Sequence, residues 1–222
     1  MNFMYFVDER LRLALYLFDL GTPPFQEIKR KIEASEPPYE YHGRDDAVED
    51  AYQQAFEDAD TAIQVIGMSS LGLVQTALHE FLKEFVERSF GPTILNQVPQ
   101  IKADGWLGKF RALFATNAEY NWENSGADLA LIEQACLTRN DFHHSVNLLT
   151  RCPFQGKTHA KKHADSPFRD PAFSDALMQE YPLRVTRELL ESSIAAVRTL
   201  CQFLVDARRM PKVPQKRDLK VR

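Results

Sequence analysis

Several protein classes are excluded by what the sequence lacks. It has 3 cysteines in 222 residues, an odd number with none at the short paired spacing of a structural zinc site. That excludes a secreted disulfide scaffold and points to a reducing compartment. Neither sign of charge dominates, with 27 basic against 31 acidic residues and a net charge of -4. No global positive field exists to drive generic nucleic-acid binding, so any such contact must be local. Alternating strand patterns are missing, and so is any repeat of 20 to 50 residues, which argues against a sheet and a solenoid. The opening stretch MNFMYFVDERLRLALYLFDL is interrupted by Asp8, Glu9, Arg10 and Arg12 and is followed by no small-residue cleavage site. It reads as a first core helix rather than a leader or a membrane span, and the cytoplasm is the expected location.

With 44% hydrophobic and 26% charged residues, the chain can bury a core as one compact domain, alone or with an appendage. Helix follows helix. Residues 2–20 form the first, closed by GTPP, where Gly21 is expected to take a left-handed cap and Pro23 and Pro24 forbid continuation. A short helical piece, PFQEIKRKIEAS, and an acidic, proline-containing loop come next. From Asp46 to Phe90 the sequence is helical, with a kink or division expected at Gly67 and Gly72. Leu73, Ala77, Leu78, Phe81, Leu82, Phe85 and Val86 recur at three and four, the spacing of a core-facing stripe.

GPTILNQVPQIKADG interrupts the pattern before the element starting WLGKFRALF, and a further helix, LALIEQACLTRNDFHHSVNLLT, has Leu129, Ile132, Cys136, Val146 and Leu149 as its apolar positions. Residues 151–182 are proline-rich and irregular. Thr186 then caps RELLESSIAAVRTLCQFLVDARR, with Glu188 in its first turn and Arg208 and Arg209 in its last, as the helix dipole favours. The expected fold is an all-α, up-and-down bundle of four to five long helices with an irregular insertion before the last. Residues 1–45 make an N-terminal helix and connector packing on the bundle, 46–210 the helical domain itself, and 211–222 a basic tail.

Near the end of the fifth apolar segment, LTRNDFHHS sets Arg139, Asn140, Asp141, His143 and His144 within one short stretch. Metal-free phosphodiester cleavage needs a group that moves a proton near neutral pH, which suits histidine. It needs a fixed positive charge for two phosphate oxygens, which suits arginine's planar fork. Asparagine, both donor and acceptor, can orient them. The bland alternative is a polar helix end with Arg139 paired to an acid, Asp141 among the candidates. On an α-helix Arg139 and His143 share a face, whereas His144 lies about 140° away.

Other candidates weigh less. QGKTH looks like a phosphate-binding loop, but Arg151 stands where its first glycine belongs and no strand precedes it. Cys152, His159 and His163 are conceivable zinc ligands, yet the paired cysteines of a structural site are missing, so no metal is expected. His42 and His79 stand alone, and Glu80 reads as a solvated helix glutamate. GKTHAKKH supplies Lys157, Lys161 and Lys162, either a solvated loop or the local RNA contact.

A helical bundle carrying R-N-x-x-x-H resembles the HEPN superfamily, many members of which are prokaryotic toxin and antiviral ribonucleases. The resemblance covers roughly residues 46–210: the amphipathic LGLVQTALHEFLKEFVE, the aromatic connector with GWLGKFRALF and YNWENSG, the LIEQACLTRNDFHHS helix and a closing helix. It implies an endoribonuclease that needs neither metal nor cofactor, with the RNA 2′-hydroxyl as nucleophile. Arg139 would neutralise the scissile phosphate, Asn140 orient the site, and His144, or His143 by helix geometry, act as acid or base. Two copies of the motif facing each other in a homodimer, and an antitoxin or regulatory protein as partner, are also implied. The competing expectation is a catalytically inactive module of the same kind that binds a partner protein or a nucleotide.

Overall fold

The computed structural model describes residues 2–40, 46–145, 154–171 and 181–209, apart from the side chains of residues 46–51, 144, 145 and 209. Its elements are α1 (Phe3–Gly21), α2 (Pro23–Glu33), α3 (Asp46–Phe90), α4 (Pro92–Gln97), α5 (Gly105–Ala115), α6 (Leu129–Ser145), α7 (Lys157–Lys162) and α8 (Arg187–Arg209), with single 3-10 turns between α4 and α6. Among the described residues there is no strand. Two isolated bridges, Phe154 with Pro182 and Arg169 with Leu183, fold the segment before α8 back on itself. The architecture is an all-α bundle with its irregular part in the expected place.

The axis of the bundle is α3, 45 residues long and in contact with α1, α2, α4, α6 and α8. Its stripe lies inward at Ala77, Leu78, Phe81, Leu82, Phe85 and Val86; only Leu73 of the expected set faces outward, at 40% exposure. Phe85 is fully buried and its ring meets those of Phe3, Phe81, Phe90, Phe114 and Tyr120. Emptying such a position costs about 3–5 kcal/mol, so this aromatic knot fastens α1, α5 and the connector to the axis. By length and composition Tyr52–Phe90 could cross a membrane, but more than half of its most apolar stretch is buried inside the bundle.

Two glycine expectations differ from what is found. Gly21 takes no left-handed cap; it is the last residue of α1, where a Cβ would come 3.1 Å from Ile66 of α3. The turn is made instead by Thr22, whose backbone N–H and hydroxyl both donate to the Phe18 carbonyl, at 3.1 and 2.9 Å. Pro23 and Pro24 then open α2, where no N–H is needed. Nor do Gly67 and Gly72 divide α3, which is continuous. Gly67 is there for close approach: a Cβ would sit 2.9 Å from the Cβ of Val185 and 3.3 Å from its carbonyl oxygen.

The segment leading into α8 is secured to the axis beside that contact. The Val185 N–H donates to Gln64 Oε1 at 3.1 Å. Arg184 donates to Asp170 at 2.7 Å and to Asp60 of α3 at 3.0 Å, and Lys29 of α2 pairs with the same Asp60. Thr186 caps α8 as expected, its hydroxyl accepting from the Leu189 N–H at 3.2 Å.

The two glycines of α3 provide an internal comparison. Alanine gains up to about 1 kcal/mol of helix propensity at either, but at Gly72 the nearest atom is Arg139 Cγ at 3.9 Å, ordinary contact. Gly72→Ala is expected to be neutral or stabilising in urea unfolding, and Gly67→Ala to fall below it by about 1–3 kcal/mol through overpacking against Val185.

Candidate functional site

Asp128 starts α6 by accepting the Leu131 N–H on its carboxylate at 2.8 Å, and Ile132, Ala135 and Cys136 bury the inner face. Burial pushes the Cys136 thiol up to about 12, which removes it as a nucleophile near neutral pH. One turn later comes Arg139. The helix is unbroken through Ser145, so Arg139 and His143 share a face.

Half-buried, Arg139 lies over the bare backbone of Gly72 in α3. Its Nη1 donates to Asn140 Oδ1 at 3.4 Å, a long bond. Its Nε is buried and has no acceptor. No carboxylate among the described residues pairs with this guanidinium. A buried donor left unmade costs about 1–3 kcal/mol, more on a charged group. The protein therefore holds a cation whose hydrogen bonds an anion would complete.

Asp141 does not turn towards Arg139. Its Oδ2 accepts the Gly156 N–H at 3.0 Å and faces His159 Nδ1 at 2.8 Å. This contact docks α7 on α6, and His159 is fully buried by it. With Nδ1 against a carboxylate, the network assigns the proton to Nδ1, leaving Nε2 a buried atom without a partner. Gly156 belongs to the same contact, since a Cβ there would collide with Asp141 Oδ1. The glycine of QGKTH thus makes room for a carboxylate rather than cradling a phosphate.

A second brace runs parallel to the first. Glu133 accepts from Lys162 at 3.0 Å and meets His163 Nε2 at 3.2 Å, and Lys162 also reaches Asp104 at 3.4 Å. Burial acts to raise the Glu133 carboxyl, but Lys162 and His163 outweigh it and hold the group below the usual carboxylate range. Of the three lysines expected to meet RNA, Lys157 and Lys161 are exposed, while Lys162 is committed to this brace. His159 and His163, once conceivable zinc ligands, each face a carboxylate, and among the described residues no set of three such groups could hold a metal. Cys152 lies outside the described residues.

His143 is exposed, its ring edge-on to Phe142 with centroids 5.4 Å apart. The side chain of His144 lies outside the described residues, as does the basic tail after Arg209. On α6 the structure sets Asn140 against Arg139 and places His143 one turn further along the Arg139 face. The Asp141–His159 link was not foreseen from the sequence; its one signal was the i, i+4 histidine pair, weighed there only as conceivable zinc ligands. Compared with family models, curated proteins and solved structures, the chain matches none.

Gly156→Ala is expected to undock α7, lowering stability by about 1–3 kcal/mol through overpacking and the lost carboxylate bonds. Thr158→Ala, exposed on the same short helix, should change stability by no more than about 0.5 kcal/mol. Hydrogen exchange over residues 154–171 checks the pair: protection lost only in the glycine variant is the expected result.

Proposed function

We propose that the protein is a metal-independent endoribonuclease of HEPN type, working in the cytoplasm in prokaryotic toxin or antiviral defence. The observation that carries this is the state of Arg139: half-buried, with a buried Nε lacking an acceptor and no acid among the described residues paired to it. An inactive scaffold has no use for an uncompensated guanidinium, whereas phosphate oxygens would meet it in two-donor geometry.

In the reaction the RNA 2′-hydroxyl attacks the adjacent phosphorus while the base on α6, His143 or His144, takes its proton. The new O2′–P bond forms as the P–O5′ bond breaks, and an acid returns a proton to O5′, leaving a cyclic phosphate and a free 5′-hydroxyl. Arg139 meets the negative charge that grows on the non-bridging oxygens, and Asn140, whose Oδ1 accepts from Nη1, steadies the guanidinium. His143 stands on the Arg139 face, which supports it as one of the proton-transfer groups.

Homodimerisation completes the proposal. The exposed large apolar side chains among the described residues all lie on α1 and α3, including Phe6, Leu13, Leu17, Leu20, Val65 and Leu73. Helix α1 runs antiparallel to α3, with Phe3 against Phe81 and Gly21 beside Ile66, so Leu13 and Leu20 come level with Leu73 and Val65. Leu73 adjoins Gly72, over which Arg139 lies. A second copy seated on this face covers the apolar strip beside the site.

Incubated with total RNA in chelator, the wild type is expected to cut, and Arg139→Ala to lose about 10²–10³-fold in rate, the usual loss for a group that stabilises developing charge. His143→Ala and His144→Ala, assayed alongside, identify the proton-transfer group; cleavage that persists in all three variants refutes the site. Sedimentation of Leu13→Glu/Leu17→Glu should give monomers where the wild type gives dimers, and a monomeric wild type would refute the pairing.

A further inference from the structure

A recess opens on the face of α3 that carries Gly72. His79 lies two turns further on, about 10 Å at the helical rise and within about 20° of the same direction. There α3, the α4 connector and α5 enclose a cavity of about 720 Å³, whose walls include His79, Lys83, Asn96, Trp106, Lys109 and Phe110. Gly105, at φ 62°, admits the sharp entry into α5 that places Trp106 at the wall. The Trp106 ring is only half-buried, with the His79 ring 4.7 Å away on one side and Phe110 edge-on at 6.4 Å.

The polar groups of this wall are selective in kind. Its ionisable members are His79, Lys83 and Lys109; among the described residues no carboxylate lines it. The nearest acid, Glu80, lies between His79 at 3.5 Å and Lys83 at 3.2 Å, and Asp104 at the rim turns to Lys162. Burial holds the His79 imidazole below its usual range, against the pull of Glu80, so at neutral pH it is an uncharged ring with hydrogen-bonding nitrogens. Lys109 donates to the Pro99 carbonyl at 2.6 Å, which holds its ammonium at the cavity edge. Flat aromatic surface, one side-chain amide and two ammonium groups, that of Lys83 shared with Glu80 outside the lining, match a base joined to phosphates.

We propose that this cavity takes one unpaired base of single-stranded RNA, stacked on Trp106, with Asn96 bonding to its edge and Lys83 and Lys109 meeting the flanking phosphates. The assignment rests on the ribonuclease reading for its substrate, and it adds a subsite that determines which strands are held: an exposed base is required, so a continuous duplex is a poor ligand. The shared face of α3 puts the strand's path between the Trp106 recess and Arg139.

The probe is a short single-stranded RNA with 2′-O-methyl groups, which cannot supply the nucleophile and stays intact, labelled with fluorescein and followed by anisotropy in chelator. Trp106→Ala is expected to weaken binding about 10- to 100-fold, and Trp106→Phe to retain most of it. Lys83→Ala/Lys109→Ala should lower the salt slope by about 1.4. Since Trp122 is buried in the core, tryptophan quenching on binding reports on Trp106 and should vanish in Trp106→Phe. Binding by folded Trp106→Ala within about twofold of wild type, or unquenched fluorescence in the wild type, overturns the subsite. The two proposals fail separately: cleavage with unchanged KM in Trp106→Ala sinks the subsite alone. Quenching and tight binding without cleavage of natural RNA by the wild type sink the nuclease alone.

Discussion

The site depends on where one carboxylate points. Asp141 stands two positions from Arg139 in the same helix, which turns its side chain about 160° away, and there it accepts the Gly156 N–H and faces His159. Arg139 is left without an acid among the described residues. Electrostatically this is an expensive way to end a helix, because a half-buried guanidinium with an unmade donor forgoes the stabilisation an ion pair would give. The Asp141 carboxylate docks α7 on α6 from the opposite side of the helix, and Arg139 stays half-buried with a donor unmade.

The division of labour extends through the segment before α8. His159 on α7 and His163 just past its end each meet a carboxylate of α6, Asp141 and Glu133 respectively. Gln155 joins the same assembly, donating to the His163 carbonyl and accepting from Arg169. Few backbone ladders are available to a stretch this irregular, so side chains take over the work of fixing it. Beneath it, Arg184, Asp60 and Lys29 fix the chain to the axis. The site is thus framed by polar ties on one side and by the aromatic knot around Phe85 on the other.

Much of this was legible in the sequence because helical periodicity is a local signal. The stripe from Ala77 to Val86, the Thr186 cap and the limits of α8 follow from spacing and terminal chemistry, and the chemistry in Arg139–His143 from residue type. Legibility ended where the controlling contact was distant in sequence. Gly21, Gly67 and Gly156 look like turn or hinge residues, but each answers a neighbour far along the chain: Ile66, Val185 and Asp141. Leu73 fits the buried stripe by number and is exposed, left uncovered by the described helices. Likewise His79, solitary in sequence, gains its meaning only when α5 carries Trp106 to it.

Because α3 is one uninterrupted rod, it serves as a common ruler. Gly67 fixes the approach to α8, Gly72 seats Arg139, and His79 borders the Trp106 recess. Adding or deleting one residue between Gly72 and His79 would swing everything beyond it by about 100°, parting features that now share a face. Length change along this rod is therefore confined to steps that restore phase, such as seven residues, whereas side chains on its outer face remain free to vary. Drift in this lineage should accordingly accumulate as substitution within α3 and as insertion only in the connectors around it.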